Sequence, residues 1–415
     1  MSLLRKYFTG LSANTFLLAF ASLFSDISSE MLYPVLPVFL TEILGANRFV
    51  VGLVSGVSEA AQYVVQALSG WISDKLRRRK PVALVGYIIG AVCKPLMGFA
   101  PGWPTVLAAR TLERLGSGSR SAPRDALIAA SADEAHRGKA FGLEGIGDNF
   151  GACLGPLLTI GLLPFLHDGL RWIFFLAIIP GFLAVLMILL VRERPVATSA
   201  KAKLGLEEIH RFPRPYWTYL FVTALFGIGN SSNAFLILRT DEIIKPLLSD
   251  PRNSLKWTIL IYAGFNLVAA VASYPAGYLS DRFSRKSVLL AAFLVFLVVY
   301  AGFAWTTDVV LIGVLFGFYG LFQGIFRAVG KALATDFVTE DVRASAVGWY
   351  MTTVGLSGLI ASLVGGELWQ RIDATATFWL GAASALLASV ALVLFVPSTR
   401  SEMIRQKLTT NPTGL

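Results

Sequence analysis

Charged side chains interrupt the long hydrophobic segments of this sequence, and their types and spacing suggest proton chemistry. Asp26 and Glu30 are four residues apart, so they lie one above the other on a single helical face. Two carboxyl groups this close cannot both ionise cheaply in a low-dielectric medium, so the pair suits a proton carrier. The alternative is that both acids only pair with arginines and pin neighbouring helices together.

A second charged group lies further along the chain. Arg110, Glu113 and Arg114 occupy positions i, i+3 and i+4, so they share one helical face, and that face must point inward. Arg114 beside Glu113 predicts either an internal ion pair or a contact to an anion in a cavity, and the spacing leaves both open. Lys94, directly before Pro95, is predicted to be a buried cation paired with an acid of the first or second hydrophobic segment. A substrate contact is the alternative for Lys94.

The segments that hold these charges are long enough to cross a membrane. Hydrophobic residues make up 55% of the 415 residues and charged residues 15%, and the mean hydropathy is +0.64, which is too apolar for a soluble protein of this length. A hydrocarbon core of ~30 Å needs about 20 helical residues. Twelve stretches are long enough, roughly 14–41, 49–72, 81–100, 104–130, 139–163, 170–191, 214–238, 256–279, 287–306, 308–333, 344–368 and 374–396.

The net charge of +10 indicates orientation rather than nucleic-acid binding. The basic residues concentrate in the loops on one side, which the positive-inside rule assigns to the cytoplasm, and an even number of spans puts both termini there. Cys93 and Cys153 fall in predicted spans, which indicates neither a disulfide nor a metal site. Because His136, His167 and His210 fall in loops, histidine is not expected to carry protons. Without a phosphate-binding loop or a catalytic constellation, we expect no ATP use, no cofactor and no enzyme.

A short signature occurs twice, with Asp74 and Asp281 207 residues apart. The copies are Gly70-Trp-Ile-Ser-Asp74-Lys-Leu-Arg-Arg78-Arg and Gly277-Tyr-Leu-Ser-Asp281-Arg-Phe-Ser-Arg285-Lys. The repeat predicts two six-helix halves, at residues 1–191 and 214–396, joined by a cytoplasmic linker at 192–213 and followed by a cytoplasmic tail at 397–415. Parallel repeats of this kind are a transporter architecture, with the substrate site between the halves.

The two halves differ in charge. At the repeat spacing Glu59 corresponds to Asn266, and Ser28-Ser-Glu30 resembles Ser231-Ser-Asn233. A charge at the centre of a span costs roughly 2.5–3.5 kcal/mol, so each one needs a partner or a wet cavity. The pattern predicts a first half that binds protons, facing a polar second half that hydrogen-bonds a solute.

These segments resemble the major facilitator superfamily. Its signature between helices 2 and 3 is Gly-x-x-x-Asp-Arg/Lys-x-Gly-Arg-Arg/Lys, and here Arg77 and Ser284 replace the inner glycine. The resemblance implies an all-α membrane protein with twelve transmembrane helices in two pseudo-symmetric six-helix bundles. Three further segments resemble motifs of the family. They are Pro34-Val-Leu-Pro37 for helix 1, Arg110 with Gly116 for helix 4, and Gly147-x-x-x-Gly151-x-x-x-Gly155-Pro156 for helix 5. The helix-5 motif is typical of antiporters, although Thr159-Ile160 stands where the family usually has Gly-Gly.

The resemblance also implies roles for single residues. The helix-4 arginine is associated with proton transfer in the family, and the candidate proton-coupling residues are Asp26, Glu30, Glu59, Arg110 and Glu113. The candidate substrate-cavity residues are Tyr33, Lys94, Arg114, Asn233 and Asn266. The candidate gating residues are the signature residues Asp74, Arg78, Asp281 and Arg285, the cations Arg120 and Arg327, and the helix-5 residues Gly151, Gly155 and Pro156. In the family the signature acid caps a helix terminus until the cytoplasmic side opens, and the glycine strip seals the halves. Ordinary small-residue packing is the alternative for the strip.

The sequence therefore predicts a monomeric transporter of the inner membrane that exchanges protons for a small organic solute and moves the solute outward. Two alternatives stay open. One is proton-coupled import of a small, anionic metabolite, and the other is a membrane signalling or assembly protein that keeps the fold without transport. The expected partners are protons, the solute and the lipid bilayer, with no nucleic acid.

Overall fold

The computed structural model describes residues 10–76, 78–132, 136–166, 169–193, 209–250, 253–339 and 342–397, and gives only the backbone of residues 70, 71, 73–76, 274, 277, 278, 281 and 344. The side chains of Asp74 and Asp281, as well as His167, Arg77, most of the predicted linker and the predicted tail, lie outside the described residues. The described chain is almost entirely helical. This confirms the all-α prediction.

Helices of the first half end before residue 193. They are α1 Ala13–Glu30, α2 Leu36–Val38, α3 Arg48–Leu76, α4 Arg79–Gly98, α5 Trp103–Ala130, α6 Arg137–Leu162, α7 Arg171–Leu176 and α8 Ile178–Leu190. Those of the second half are α9 Arg214–Gly227, α10 Asn233–Ile244, α11 Ser254–Phe283, α12 Arg285–Trp305, α13 Val309–Asp336, α14 Arg343–Arg371 and α15 Ala374–Phe395.

Three predicted continuous spans are interrupted, and one of these, at 170–191, is split only at Ala177 between α7 and α8. The first span is interrupted between α1 and α2, where Pro34 lacks a backbone donor, and after α2 it continues as a π-helical turn, Phe39–Ile43. The predicted span at 214–238 is interrupted between α9 and α10. There the side chain of Ser232 accepts a hydrogen bond from the amide of Ala234 and caps α10. The breaks put polar backbone and hydroxyl groups at the depth where the charged residues lie.

Eight helices are long and apolar enough to cross a membrane by length and composition, within the residues described. They are Arg79–Gly98, Arg137–Phe165, Arg171–Leu190, Ser254–Ser273, Arg285–Trp305, Val309–Asp336, Ser345–Arg371 and Ala374–Phe395. The predicted spans outside this set correspond to α1 with α2, α3, α5, and α9 with α10. These are the segments that are broken or carry the charges. Hydropathy therefore confirms a multi-pass membrane protein without confirming the number twelve.

Matching contacts in the two halves support the repeat. The Arg79 guanidinium donates to the carbonyl of Ala126 at 3.3 Å, and the Arg285 guanidinium donates to that of Ala332 at 3.1 Å. Arg79, rather than the exposed Arg78 that the signature alignment selects, is thus the counterpart of Arg285. Ser284, which replaces a signature glycine, has φ +136°, a backbone region that favours glycine and explains the glycine of the pattern.

The bundle has two ends, which we name by what lies there. The terminal side holds the ends of the described chain and the turns after α3, α5 and α11, and the far side holds the turns after α2, α4 and α6. The halves meet where α3 packs on α14. A Cβ on Gly52 would lie 2.1 Å from the carbonyl oxygen of Ser362, so this seam needs glycine.

The glycine strip of α6 packs against α1 within the first half. A Cβ on Gly151 would lie 2.6 Å from the carbonyl oxygen of Leu23, and one on Gly155 would lie 2.8 Å from the Cβ of Glu30. Pro156, next to the strip, is also buried. The glycines therefore allow a close contact of α1 with α6, whereas α6 meets the second half through α11.

Candidate functional site

A cavity of about 510 Å³ lies between the two halves. Its first-half wall, from α1, α3, α5 and α6, carries most of the charge, and its second-half wall is polar and aromatic. The acids that line it are Asp26, Glu30, Glu59, Asp125 and Asp148, and the cations are Arg114, Arg120, Arg124, Arg327 and Lys331. The second half contributes Asn230, Ser231, Ser232, Asn233, Tyr262, Phe265, Asn266 and Gln323, among others. Apart from Arg327 and Lys331, which belong to the second half, the two walls match the predicted asymmetry between a charged half and a polar half.

Glu30 contacts the second half directly. Its Oε2 accepts hydrogen bonds from the Tyr262 hydroxyl at 3.0 Å and from the Asn266 amide nitrogen at 3.4 Å. The same Asn266 nitrogen donates to the carbonyl of Ala152 on α6 at 3.0 Å, which holds the amide between both halves. The Tyr33 and Tyr262 rings stack at 5.6 Å with 11° between their planes. A predicted proton-coupling residue and a predicted cavity residue are thus in contact.

Glu59 makes a second contact across the cavity. Its Oε1 accepts from the Tyr33 hydroxyl at 3.1 Å and from the Ser232 hydroxyl at 3.3 Å. Because Ser232 caps α10, the carboxylate is tied to the break in the second half. Asn233, the next residue, accepts a hydrogen bond from the Tyr319 hydroxyl at 2.7 Å, and the Gln323 amide donates to the same hydroxyl at 3.4 Å.

Arg110 and Glu113 form a buried ion pair behind the cavity wall. Arg110 Nη1 lies 2.8 Å from Glu113 Oε2, and the side chains are 3% and 2% exposed. Arg114 Nε is 3.6 Å from the same oxygen, and Arg114 Nη1 donates to Gln62 at 3.2 Å. Both guanidinium groups lie over the Tyr33 ring, at 5.7 and 5.8 Å from its centroid. Arg114, alone of this pair of arginines, also lines the cavity.

Asp26 contacts Asp148 rather than an arginine. Their carboxyl groups face each other between α1 and α6. Two like charges this close are costly in a low-dielectric site, so the pair is suited to holding one proton. Arg124 Nη1 lies 3.0 Å from Glu144 and 4.0 Å from Asp148, so the group continues toward the terminal side.

Lys94 lies outside the cavity, although it was predicted to line it. Its ammonium donates to the Ser28 hydroxyl at 2.6 Å, and Ser28 in turn donates to the carbonyl of Ala177 at 2.5 Å. The predicted acid partner is replaced by a hydroxyl of α1. Of the gating candidates, Arg120 donates to Ser25, whereas Arg327 is exposed in the cavity at its terminal end.

Ion pairs join the two halves at the far side. Arg48 Nη2 lies 2.6 Å from Glu242 Oε1, and Lys245 pairs with Glu42. The hydrogen bond to Glu42 raises the pKa of Lys245 above its usual range. The Arg48 guanidinium also lies 5.9 Å from the Trp369 ring centroid. The cavity extends from Tyr33 and Asn233 to the exposed Arg327 and Lys331, so it opens toward the terminal side.

Several residues of the site were missed from the sequence. Tyr262 precedes Asn266 by one helical turn, so a search for partners on the same face would have found it. Ser232 appeared only within a repeat triplet, and Arg48, Glu242, Glu42 and Lys245 were not among the candidate site residues. Within the described chain, no cluster of His, Cys, Asp or Glu could hold a metal ion.

Relatives of known family match nearly the whole chain. A transporter of the major facilitator superfamily type from Methanocaldococcus jannaschii is 34% identical over 388 residues, which is 93% of this chain and 95% of the relative. A "probable 4-methylmuconolactone transporter" of Cupriavidus pinatubonensis is 27% identical and covers 83% of this chain and 82% of the relative. The multidrug resistance protein MdtH of Yersinia pestis is 24% identical, with 86% and 87% covered.

The fold also matches a solved transporter. The crystal structure of the nucleoside transporter NupG has a TM-score of 0.78 at 15% identity, with 92% of this chain and 99% of that chain covered. The sequence profile of the Major Facilitator Superfamily matches residues 18–240 and 234–412, which together include nearly the whole chain. The chain therefore belongs to the major facilitator superfamily of membrane transporters and is not an enzyme.

Proposed function

We propose that this protein is a monomeric secondary transporter of the cytoplasmic membrane that exports a small organic solute in exchange for protons. The chain crosses the membrane twelve times, because the charged and broken helices that hydropathy misses line the site beside apolar ones. The terminal side faces the cytoplasm, where the positive-inside rule puts the basic turns. The described conformation is then open to the cytoplasm.

One observation carries this proposal, namely that Glu30 and Glu59 of the first half hydrogen-bond the second half across the cavity. A carboxylate accepts from Tyr262 and Ser232 more strongly when it is charged. Protonation weakens these contacts and lets the halves separate, whereas loss of the proton draws them together. Arg114 beside them balances the charge, and the carboxyl pair of Asp26 and Asp148 supplies a further exchangeable proton. Proton movement and the rocking of the halves are therefore linked.

The outward direction is supported by the similarity to MdtH, a multidrug resistance protein. A second candidate is proton-coupled import of a small anionic solute. It is favoured by Arg327 and Lys331, which lie exposed at the terminal end of the cavity without a hydrogen-bonded partner among the described residues, and by the similarity to a transporter named for an organic-acid lactone.

Proteoliposomes with a trapped pH dye decide between these functions. A thermal-shift screen that includes 4-methylmuconolactone and ethidium first selects a ligand. Ligand added outside should make the lumen more alkaline, since exchange moves a proton out as the ligand enters, whereas acidification of the lumen would mark import with protons. A protein of the signalling or assembly class would move no proton, and neither Asp26→Asn nor Glu30→Gln would change its activity.

A further inference from the structure

Lys94 is a buried cation that the proposed transport cycle does not use. It is 2% exposed, and of its three N–H donors only one has a described partner, the Ser28 hydroxyl at 2.6 Å. No described carboxylate lies within 4.0 Å of the ammonium nitrogen. A buried charge without a counter-charge is costly, so the remaining donors require an acceptor.

A second buried donor lies beside the same space. Tyr87 is 2% exposed, and its hydroxyl oxygen has no hydrogen-bond partner among the described residues. The Arg120 guanidinium lies over the Tyr87 ring, 4.2 Å from its centroid. Tyr87, Lys94 and Arg120 line one small space of about 10 Å³, together with three serines and the acid Glu113. This is about the room that a single water-sized ligand needs.

The charges around this space are strongly unbalanced. The charged groups that act most strongly on Lys94 are one acid, Glu113, and three arginines, Arg110, Arg114 and Arg120. The Glu113 carboxylate is already paired with Arg110, whose Nη1 lies 2.8 Å from Glu113 Oε2. Asp26 acts on Arg120 from α1, but its carboxyl group also faces that of Asp148. The surroundings therefore favour a bound negative charge over a neutral molecule.

We propose that this space binds one small monovalent anion of the size of chloride. Lys94 and the Tyr87 hydroxyl donate hydrogen bonds to the ion, and Arg120 supplies positive charge beside it. The ion is a resident counter-ion of the first half that lies behind the wall of the solute cavity, because Arg120 lines both spaces whereas Lys94 and Tyr87 do not line that cavity. A water molecule or an uncharged lysine would satisfy the donors without any dependence on halide.

The test measures thermal unfolding of the purified full-length protein in sodium chloride and in sodium gluconate at equal ionic strength. Chloride should raise the melting temperature in a saturable way, on the order of 2–4 °C. Tyr87→Phe keeps the ring under Arg120 and removes only the donor, so it should weaken the response to chloride at least several-fold, and Lys94→Met should abolish it. Tyr300→Phe, which removes a buried hydroxyl of the second half, should leave the response unchanged.

The location of the ion is tested by anomalous scattering from crystals grown in bromide, with a peak expected between Lys94 and Tyr87. Equal melting temperatures in chloride and gluconate would overturn the proposal in favour of water or an uncharged lysine. A full chloride response in Tyr87→Phe, or a bromide peak elsewhere, would also overturn it. Should Lys94→Met fail to fold, Tyr87→Phe and the bromide peak still decide.

Discussion

Reversal of one charge at the far side should shift the balance between the two conformations of the transporter. Glu42 and Lys245 pair across the halves there, next to the pair of Arg48 with Glu242. In Lys245→Glu two carboxylates face each other where an ion pair stood. The far side should then open more often, because attraction that favours the closed form becomes repulsion.

The size of this shift follows from the exposure of the pair. The side chains of Lys245 and Glu42 are 41% and 45% exposed, so the pair contributes only about 0.2–1 kcal/mol. Replacing the attraction by a repulsion of similar size changes the balance by about 0.4–2 kcal/mol. That corresponds to roughly a 2- to 30-fold rise in the ratio of far-open to far-closed molecules.

Labelling of a cysteine at the seam measures the ratio. Ser362, which is 1% exposed and faces Gly52 of the other half, becomes accessible only when the far side opens. Ser362→Cys, in a background of Cys93→Ser and Cys153→Ser, is labelled with a membrane-impermeant maleimide from the far side. When opening is fast compared with labelling, the rate should rise in Lys245→Glu by the factor given above.

Two variants control this experiment. Glu42→Lys combined with Lys245→Glu restores an ion pair and should restore the slow rate. Glu367→Lys breaks a pair with Arg371 within α14 at the same side, and it should have no effect. The reasoning is refuted if the rate in Lys245→Glu is unchanged, or if Glu367→Lys accelerates labelling equally.

The pH dependence of the pair between Lys245 and Glu42 has a defined sign. Since Glu42 raises the pKa of Lys245, the contribution of the ammonium is fully present below the usual lysine range, and it disappears only as the pH rises through the raised value. The labelling rate of Ser362→Cys, measured in the same cysteine-free background and divided by the rate of a free thiol at the same pH, should therefore not rise between pH 6 and 9 through loss of this charge. Two further substitutions test the packing and the buried ion pair. Gly151→Leu should destabilise the protein by at least about 1–3 kcal/mol, because the new Cβ meets a backbone carbonyl of α1 that cannot move away. Gly145→Leu, which has open space around its Cβ, should be tolerated. The yield of monodisperse protein and its melting temperature measure the difference between the two variants. Glu113→Gln leaves Arg110 buried without its counter-charge and should lower the free energy of unfolding by about 3–5 kcal/mol. Asp125→Asn should lower it far less, because the Asp125 side chain is 49% exposed. Equal melting temperatures of the two variants would contradict the assigned pair.

The repeat and the hydrophobic pattern were sufficient to predict the fold, but the breaks in the helices were not predicted. The segment from α9 to α10 is apolar on both sides of residues 228–232, so a count of hydrophobic residues predicts one continuous span. The turn depends on the cap made by Ser232 and on its contact with Glu59, which comes from the other half. Contacts of this kind have no signature in a local stretch of sequence.

The site was predictable in its charges and only in part in its contacts. The spacing of Arg110 and Glu113 led to their shared face, and the structure shows that they pair. The replacement of Glu59 by Asn266 at the repeat spacing indicated the two unlike walls. The partner of Lys94 could not be found in this way, because it is a hydroxyl 66 residues away on α1, and hydroxyl groups occur too often in the sequence to single one out.

The coupling of protons to transport is tested most directly by comparing two modes of flux in Glu30→Gln. In proteoliposomes, counterflow needs only solute binding and rocking of the halves, whereas accumulation against a gradient needs proton movement. Glu30→Gln keeps a partner for Tyr262 but no longer titrates, so it should retain counterflow and lose solute accumulation driven by a pH gradient. If accumulation driven by the pH gradient remained as large as in the unmodified protein, Glu30 would not couple protons to transport.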